Sequence, residues 1–325
     1  MSLEPAVIAV DLGGTNVRLA LVTRRGEIRA RWERGTATMP DQESLIRVLA
    51  ADLQSYGEAA GSRNLEVLAA GVGVPGRVLP QEGRVVFSPN VPALNDCPLV
   101  PRLKELVDWP IFLENDANLF ALGEHWLGAG QGVPHLLGIT LGTGVGGGLI
   151  LNGRLWSGTQ GTSAEVGHMS LDSEGERCHC GNWGCLETLA SATWTVAWVK
   201  KQLAQGASSW LRELYESDPE SLGGEALVVA ARQGDPLAGR AFERVGRSLG
   251  VAIANVVHLL GLAHVVIGGR FARAWELFEL PLKQELHRRL TLFPKEAVQV
   301  SPARLGDDAG LMGAARLAWD ALGEG

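Results

Sequence analysis

The sequence predicts an α/β protein built from two related domains, and three observations lead to this prediction. The chain has 325 residues, 46% of them hydrophobic and 20% charged, which suits a globular protein with two cores. Two segments, VDLGGTNVRLALV and ITLGTGVGGGLIL, share the order strand, glycine-rich turn, strand. Helical patterns follow each segment. We therefore expect one α/β unit to be used twice, with a cleft between the copies.

The first half of the chain alternates between strand and helix patterns. Apolar residues 6–10 predict a buried strand, and VRLALV and the segment after Arg25-Gly26 continue it as a β-meander. Leucine and valine at helical spacing predict a helix over residues 41–56, with Asp41 as its N-cap. LEVLAAGVGVPG predicts another buried strand that ends in glycines. The other elements expected here are a short helix over 98–107, the strand PIFLEND and a helix over 117–127.

The second half begins with HLLGITLGTGVGGGLILNG, which predicts two strands joined by a glycine-rich hairpin. After residue 187 the pattern is mostly helical. The uncharged run over 248–269 contains Asn255, His258 and four glycines, so it predicts a buried helix, a break at Gly261 and a buried strand rather than a membrane span. The last expected elements are a helix over 272–290, a strand near 297–301 and a helix over 309–322.

Charge and composition exclude several classes of protein. The net charge is −7, and no basic run or basic helix is visible, so nucleic acid is not an expected partner. The first apolar stretch is too short for a secretory signal. Three of the four cysteines are clustered, which indicates metal binding rather than a disulfide scaffold. We expect a cytoplasmic protein with no membrane partner.

Two glycine-rich hairpins are candidates for binding phosphate groups. DLGGT joins two strands, which argues against a dinucleotide-binding turn, because such a turn opens a helix. Glycines in a hairpin allow backbone N–H groups to approach a polyphosphate, Thr15 adds a hydroxyl, and Asp11 is placed to hold Mg²⁺ directly or through water. LGTGVGGG and VVIGGR repeat this chemistry. The alternative is that both hairpins have glycine because their turns need positive φ.

The segment GHMSLDSEGERCHCGNWGCLE predicts a zinc site. Thiolates and an imidazole suit zinc, and His168, Cys178, Cys180 and Cys185 supply the four ligands of a closed structural site. The alternative is three buried or free thiols. His179 is a competing imidazole that we expect to face outward, and Cys97 is expected to be a buried or free thiol.

FLENDAN ends a strand with polar residues and begins a helix. Asp116 is therefore either the N-cap of that helix or a catalytic carboxylate.

Taken in order, DLGGTN, GVPG, END, LGTGVGGG, EVGH and CHCGNWGCLE resemble the ROK family of bacterial sugar kinases and sugar-responsive repressors, within the actin and hexokinase superfamily. The resemblance extends from about Ala6 to the last helix. It implies two actin-like (ribonuclease H-like) α/β domains around a central cleft, with a zinc-bearing loop. The implied domains are residues 1–115 and 116–308, and the closing helix within 309–325 packs back on the first.

The same resemblance implies an ATP-dependent hexokinase that acts on the 6-hydroxyl of a hexose, most simply a glucokinase of glycolysis, with ATP, Mg²⁺ and structural Zn²⁺. Asp116 would be the general base. The zinc would order three side chains in advance for the sugar. A homodimer is expected from the family. The implied sugar ligands are Asn90, Asn115, Asp116, Glu165, His168 and Glu187. The implied nucleotide ligands are Asp11, Gly13, Gly14, Thr15, Asn16, Gly142, Thr143, Gly144, Gly268 and Gly269.

Two departures from the family pattern leave details open. Many relatives have a tryptophan shortly after the asparagine that matches Asn90, where this chain has NVPALND, and Arg270 replaces a small residue after the glycines of IGGR. The choice of hexose, and of ATP or polyphosphate as donor, therefore stays open. One alternative is an N-acetylhexosamine kinase (for N-acetylglucosamine or N-acetylmannosamine). Others are an actin-like ATPase and a non-catalytic repressor, which would carry a helix-turn-helix ahead of the DLGGT strand, a strand that begins here at residue 6.

Overall fold

The computed structural model describes residues 3–323, and it confirms the predicted α/β class. Its strands are β1 (Glu4–Leu12), β2 (Asn16–Thr23), β3 (Ile28–Gly35), β4 (Leu65–Val74), β5 (Arg77–Leu79), β6 (Arg84–Phe87), β7 (Ile111–Asn115), β8 (Leu136–Leu141), β9 (Val145–Leu151), β10 (Arg154–Leu155), β11 (His264–Gly268) and β12 (Gln299–Pro302). Its α-helices are α1 (Gln42–Gly61), α2 (Leu99–Lys104), α3 (Asp116–Leu127), α4 (Glu187–Ala190), α5 (Ala192–Ala204), α6 (Leu211–Ser217), α7 (Gly224–Arg232), α8 (Pro236–Leu260), α9 (Trp275–Arg289) and α10 (Ala309–Ala321).

Two five-stranded sheets have the same strand pattern. The first has the order β3-β2-β1-β4-β7, in which β1 runs antiparallel to β2 and parallel to β4. The second has the order β10-β9-β8-β11-β12, in which β11 runs parallel to both β8 and β12. The DLGGT turn between β1 and β2 thus corresponds to the LGTG turn between β8 and β9. This correspondence confirms the internal repeat that the sequence indicated.

The structure divides the chain into two compact units, whose boundaries differ from those expected at residues 115 and 308. The first unit comprises residues 1–134, 148–163 and 304–325, and the second comprises 135–147 and 164–303. Helix α3 was expected in the second domain, but it lies in the first unit because it packs directly against α10. A Cβ atom added at Gly123 would lie 2.1 Å from the carbonyl oxygen of Ala309, and one added at Gly313 would lie 1.8 Å from that of Leu119.

Helix α1 begins, and helix α8 ends, where local sequence signals predict. Asp41 caps α1 by accepting a hydrogen bond from the Ser44 amide, and the Ser44 hydroxyl completes a capping box. Asp235 caps α8, which ends at Gly261 with a left-handed φ of 66°. The uncharged run therefore forms a helix end and the buried strand β11, as predicted. None of the helices in residues 3–323 has the length and apolar content that crossing a membrane requires.

Candidate active site

The β1–β2 hairpin exposes backbone at the end of a buried strand. Gly14, Thr15 and Asn16 are exposed, and neither Gly13 nor Gly14 has a left-handed φ, so the alternative based on positive φ does not explain them. Glycine is needed at position 14 for another reason. A Cβ atom there would lie 2.9 Å from the carbonyl oxygen of Asn90. The close approach places the predicted sugar ligand Asn90 beside the predicted phosphate loop.

Asp11 lies half-buried at the end of β1, where it forms an ion pair with Arg18 that the sequence did not predict. Arg18 also donates to the carbonyl oxygen of Asp307 at 2.8 Å, ahead of α10. A Cβ atom added at Gly310 would be 3.2 Å from the Asp11 carboxylate. Asp11 is thus fixed in position within the first unit, and a cation bound there would share the carboxylate with a guanidinium group.

The junction between β7 and α3 separates the two roles that the sequence left open for Asp116. The N-cap of α3 is Asn115, whose amide oxygen accepts from the backbone amides of Ala117 and Asn118 at 2.9 and 3.1 Å. Asp116 is the first helical residue, is exposed, and accepts from the Ala117 amide at 2.9 Å. Capping therefore does not account for the carboxylate of Asp116.

The side chain of Asn115 has structural hydrogen bonds in addition to its predicted role as a sugar ligand. Besides capping α3, it donates from its amide nitrogen to the carbonyl oxygen of Gly76 at 2.9 Å. This bond ties the END segment to the GVPG turn. Since its oxygen and one N–H are engaged, the side chain keeps at most one N–H for a hydroxyl group of a ligand.

Glu114, the first residue of END, is a buried anchor that sequence analysis missed. Only 2% of it is exposed, and one carboxylate oxygen accepts from the Asn115 amide at 2.8 Å and the Asn118 side chain at 2.9 Å. The other oxygen accepts from the Ser157 hydroxyl at 2.8 Å. A polar residue at the end of an otherwise apolar strand was the available signal. Glu114 holds the strand end that presents Asp116.

The four predicted metal ligands converge in the second unit. The ligand atoms of His168, Cys178, Cys180 and Cys185 all lie within 4.8 Å of one another. The sulfurs of Cys180 and Cys185 are 3.7 Å apart, and Cys178 Sγ is 3.8 Å from Nδ1 of His168. Zn–S bonds of about 2.3 Å at tetrahedral angles place two sulfurs about 3.8 Å apart. These two distances match the spacing of ligand atoms in a tetrahedral zinc site.

Burial favours the neutral form of the Cys178 and Cys185 thiols. Burial, followed by the neighbouring Cys180 thiol, raises the pKa of Cys185 to about 12, and burial also raises the pKa of Cys178. Coordination to a divalent ion would reverse this effect, because a coordinated thiol loses its proton. His179 is exposed, and its ring packs 5.2 Å from that of Trp194, outside the cluster, as expected. Cys97 is a buried free thiol whose pKa burial raises to about 11.

The three predicted sugar ligands of the second unit have different surroundings. Glu165 is exposed, whereas His168 and Glu187 are partly buried. His168 turns Nδ1 toward the sulfurs, so Nε2 is the ring nitrogen on the far side. Glu187 accepts from the Val145 amide at 3.0 Å through Oε2, and its Oε1 is 3.8 Å from Cys178 Sγ. No sequence pattern indicates this contact between Glu187 and Val145.

The second glycine hairpin opens onto a cavity of about 660 Å³ within the second unit. Thr143 of the hairpin is exposed, and Gly269 at the end of β11 has a φ of 92°. A Cβ atom at Gly269 would lie 2.4 Å from the carbonyl oxygen of Leu141, so glycine is required there, beside the buried Gly268. The residues that line the cavity are Gly142, Thr143, Ala192, Gly224, Glu225, Val228, Arg232, Arg270, Phe271, Arg273 and Ala274.

Comparison with known proteins gives consistent relatives. The sequence profile of the ROK family matches residues 7–321. A glucokinase from Thermotoga maritima is 36% identical over 317 residues, which are 98% of each chain. A ROK family glucokinase from Streptomyces griseus, solved with glucose and AMPPNP, is 34% identical with a TM-score of 0.80 over 97% of this chain and 99% of that one. A ROK family transcriptional regulator, a homologue of the E. coli MLC protein, is 28% identical with a TM-score of 0.86 over 97% and 78%.

Proposed function

Since this chain belongs to the ROK family, we propose that it is an ATP-dependent sugar kinase that phosphorylates the 6-hydroxyl of glucose. The observation that carries the proposal is the exposed carboxylate of Asp116, which directly follows the residue that caps α3. A carboxylate without a capping role, at the end of a strand anchored by Glu114, suits a group that acts on a substrate. The relatives named glucokinase, from Thermotoga maritima and Streptomyces griseus, support the choice of sugar.

In this proposal Asp116 accepts the proton of the 6-hydroxyl and orients the oxygen in line with the γ-phosphate. Asn90 and the remaining N–H of Asn115 would bind neighbouring hydroxyls. Glu165, Nε2 of His168 and Glu187 would bind further hydroxyls of the sugar. Phosphoryl transfer depends mainly on positioning the reactants and on stabilising the charge of the transferred phosphoryl group, so little further chemistry is required of the protein.

We assign the nucleotide to the two glycine hairpins and the cavity of the second unit. The volume of about 660 Å³ suits a nucleoside, and Arg270 on its wall is placed to contact a base. Backbone N–H groups of residues 13–16 and 142–144 would bind phosphate oxygens. Mg²⁺ would be held at Asp11, directly or through water, and would neutralise phosphate charge.

We also propose that the cluster of His168, Cys178, Cys180 and Cys185 binds one structural zinc ion. The convergence of the four ligand atoms and the 3.7 Å between the sulfurs of Cys180 and Cys185 support this assignment. A closed set of four protein ligands supplies structure rather than catalysis, because it leaves no open position for a substrate. The ion would fix the ring of His168 and the loop that carries Glu165.

Two other functions remain candidates. The regulator with a TM-score of 0.86 makes a sugar-sensing repressor the second candidate. An N-acetylhexosamine kinase is the third, because the segment NVPALND departs from the family pattern next to the predicted sugar ligand Asn90. A repressor would bind sugar without catalysis, which distinguishes it from a kinase. An N-acetylhexosamine kinase would differ from a glucokinase in the sugar that it phosphorylates.

A coupled assay of the purified protein with ATP-Mg²⁺ and a panel of hexoses tests the proposal. We expect turnover with glucose in the range of about 1–100 s⁻¹ that is usual for kinases. Polyphosphate in place of ATP serves as the donor control. Glucose binding without transfer from either donor would contradict the kinase and favour the repressor.

A further inference from the structure

The hairpin Gly142–Val145, between β8 and β9, has few side chains that could hold it in place. Its turn is closed by the Gly142 amide, which donates to the carbonyl oxygen of Gly144 at 3.0 Å. Thr143 is exposed, and among the four residues only Val145 buries an apolar side chain. The position of the hairpin therefore depends on the segments that pack against its backbone.

One of these segments follows the metal ligand Cys185. Two residues beyond it, Glu187 accepts from the Val145 amide at 3.0 Å, and a Cβ atom added at Gly144 would lie 2.5 Å from the same carboxylate oxygen. Farther along, the Ala192 amide donates to the carbonyl oxygen of Gly142 at 2.9 Å. The segment 185–192 thus contacts the hairpin at three of its four residues.

The other segment precedes the metal ligand His168. A Cβ atom added at Gly167 would lie 2.0 Å from the carbonyl oxygen of Val145, so the two backbones are in direct contact. Gly167 therefore contacts the carbonyl group of Val145, and Glu187 accepts from its amide. Gly167 belongs to the segment that carries His168, and Glu187 to the segment that carries Cys185. Both segments that carry these two residues thus contact the backbone of Val145.

We infer that a metal ion in the cluster orders the hairpin Gly142–Val145 as well as the sugar-facing side chains, with Glu187 as the positioning residue that joins metal loop and hairpin. The inference rests on the zinc site and nucleotide hairpin of the proposed function. Metal occupancy and nucleotide affinity are then linked, and the linkage is reciprocal: bound nucleotide must raise the affinity for the metal by the same factor. No sugar is needed for this effect.

Hydrogen exchange measured by mass spectrometry tests the ordering directly. Protein whose zinc content has been measured is compared before and after removal of the metal by a chelator, without sugar. We expect exchange of the Val145 amide to accelerate on the order of tenfold or more, since its charged hydrogen bond becomes intermittent. Helix α1, in the other unit, should keep its protection. Unchanged exchange at Val145 after verified metal loss overturns the inference, and this readout does not depend on sugar turnover.

Variants of Glu187 in metal-loaded protein test the named residue. Glu187→Gln keeps a carbonyl oxygen that can accept from the Val145 amide, whereas Glu187→Ala does not. We expect Glu187→Ala to accelerate exchange at Val145 and to weaken ADP binding about fivefold to tenfold at unchanged zinc content, and Glu187→Gln to restore most of both. ADP affinity is measured calorimetrically without sugar. Wild-type exchange and ADP affinity in Glu187→Ala would show that Glu187 has no positioning role.

Discussion

Asp116→Asn removes the proposed base while changing little else. The substitution keeps the size of the side chain and an oxygen that can accept from the Ala117 amide, a bond of 2.9 Å in the structure. It removes the group that takes the proton of the 6-hydroxyl. Loss of a positioned base lowers turnover about 10²–10⁴-fold, which is a rise of about 3–5 kcal/mol in the activation barrier.

The structure gives a separate and small magnitude for stability. Because Asn115 caps α3, the cap survives the substitution. What is lost is one negative charge in the first turn of the helix, worth about 0.3–1 kcal/mol at an exposed position. For a chain of this size that is a fall of about 0.5–1.5 °C in melting temperature. Asn115→Ala should cost more, about 1–2 kcal/mol, since it removes the cap itself.

The assay is steady-state turnover with glucose and ATP, measured beside melting temperature and glucose affinity. Glu213→Gln is the matched control, because Glu213 is an exposed acid in the first turn of α6 and lies outside the proposed site. It should keep full turnover. Glucose affinity of Asp116→Asn should stay within about threefold of wild type, well below the effect of losing the base. If its turnover also stays within about threefold, another carboxylate is the base and the argument from the helix cap is wrong.

Four further outcomes are expected. Purified protein should contain about one zinc per chain by elemental analysis. Cys180→Ser should lose the metal and weaken glucose binding measured by calorimetry. Full zinc occupancy in the variant would exclude Cys180 as a ligand. Gly269→Ala should weaken ADP binding and lower the melting temperature, because its Cβ would lie 2.4 Å from the Leu141 carbonyl oxygen; a silent substitution would contradict this packing. Glucose should be turned over faster than N-acetylglucosamine, and equal kcat/KM on both would reject that preference. Burial lowers the pKa of His125, whose Nε2 is 2.9 Å from the Val133 carbonyl oxygen, so the unfolded chain gains a proton below about pH 6.5 before the folded one does. The free energy of unfolding should therefore fall as pH drops from 7 to 5. Denaturant unfolding of His125→Gln should show a smaller fall. An identical fall in the variant would mean that other groups cause the pH dependence.

Hydrophobic periodicity, together with helix-capping and turn residues, determined most of the fold. Helix α1 begins after Asp41, α8 ends at Gly261, and the closing helix α10 spans Ala309–Ala321, each at or near the predicted residue. These signals are local, since a cap or a left-handed turn depends on a few neighbouring residues. The two strand-turn-strand segments likewise predicted that one α/β unit is used twice, and the two sheets have the same strand pattern.

The cluster of His168, Cys178, Cys180 and Cys185 was also predictable, and for a related reason. Three of its four ligands lie within residues 178–185, so a short loop can bring them together without help from distant contacts. Residue type then limits the choice, because thiolates and imidazole suit few ions besides zinc.

Domain membership and the partners of buried polar groups required the folded chain. Helix α3 joins the first unit because Gly123 allows α10 to approach, and Gly123 and Ala309 are far apart in sequence. Glu124, fully buried, accepts from the backbone amides of Arg304 and Leu305, again across most of the chain. Such pairs are selected by shape and by the need to satisfy buried polar groups, and no local pattern encodes them.

The candidate site divides along the same line. Motif order indicated Asp116 and the cysteine cluster from the sequence, because each is a short run of chemically distinctive residues. Packing assigned the cap of α3 to Asn115, paired Asp11 with Arg18 and set Glu187 against Val145. In each of these cases the sequence pattern was compatible with several partners. The folded backbone brought one of them within hydrogen-bonding distance.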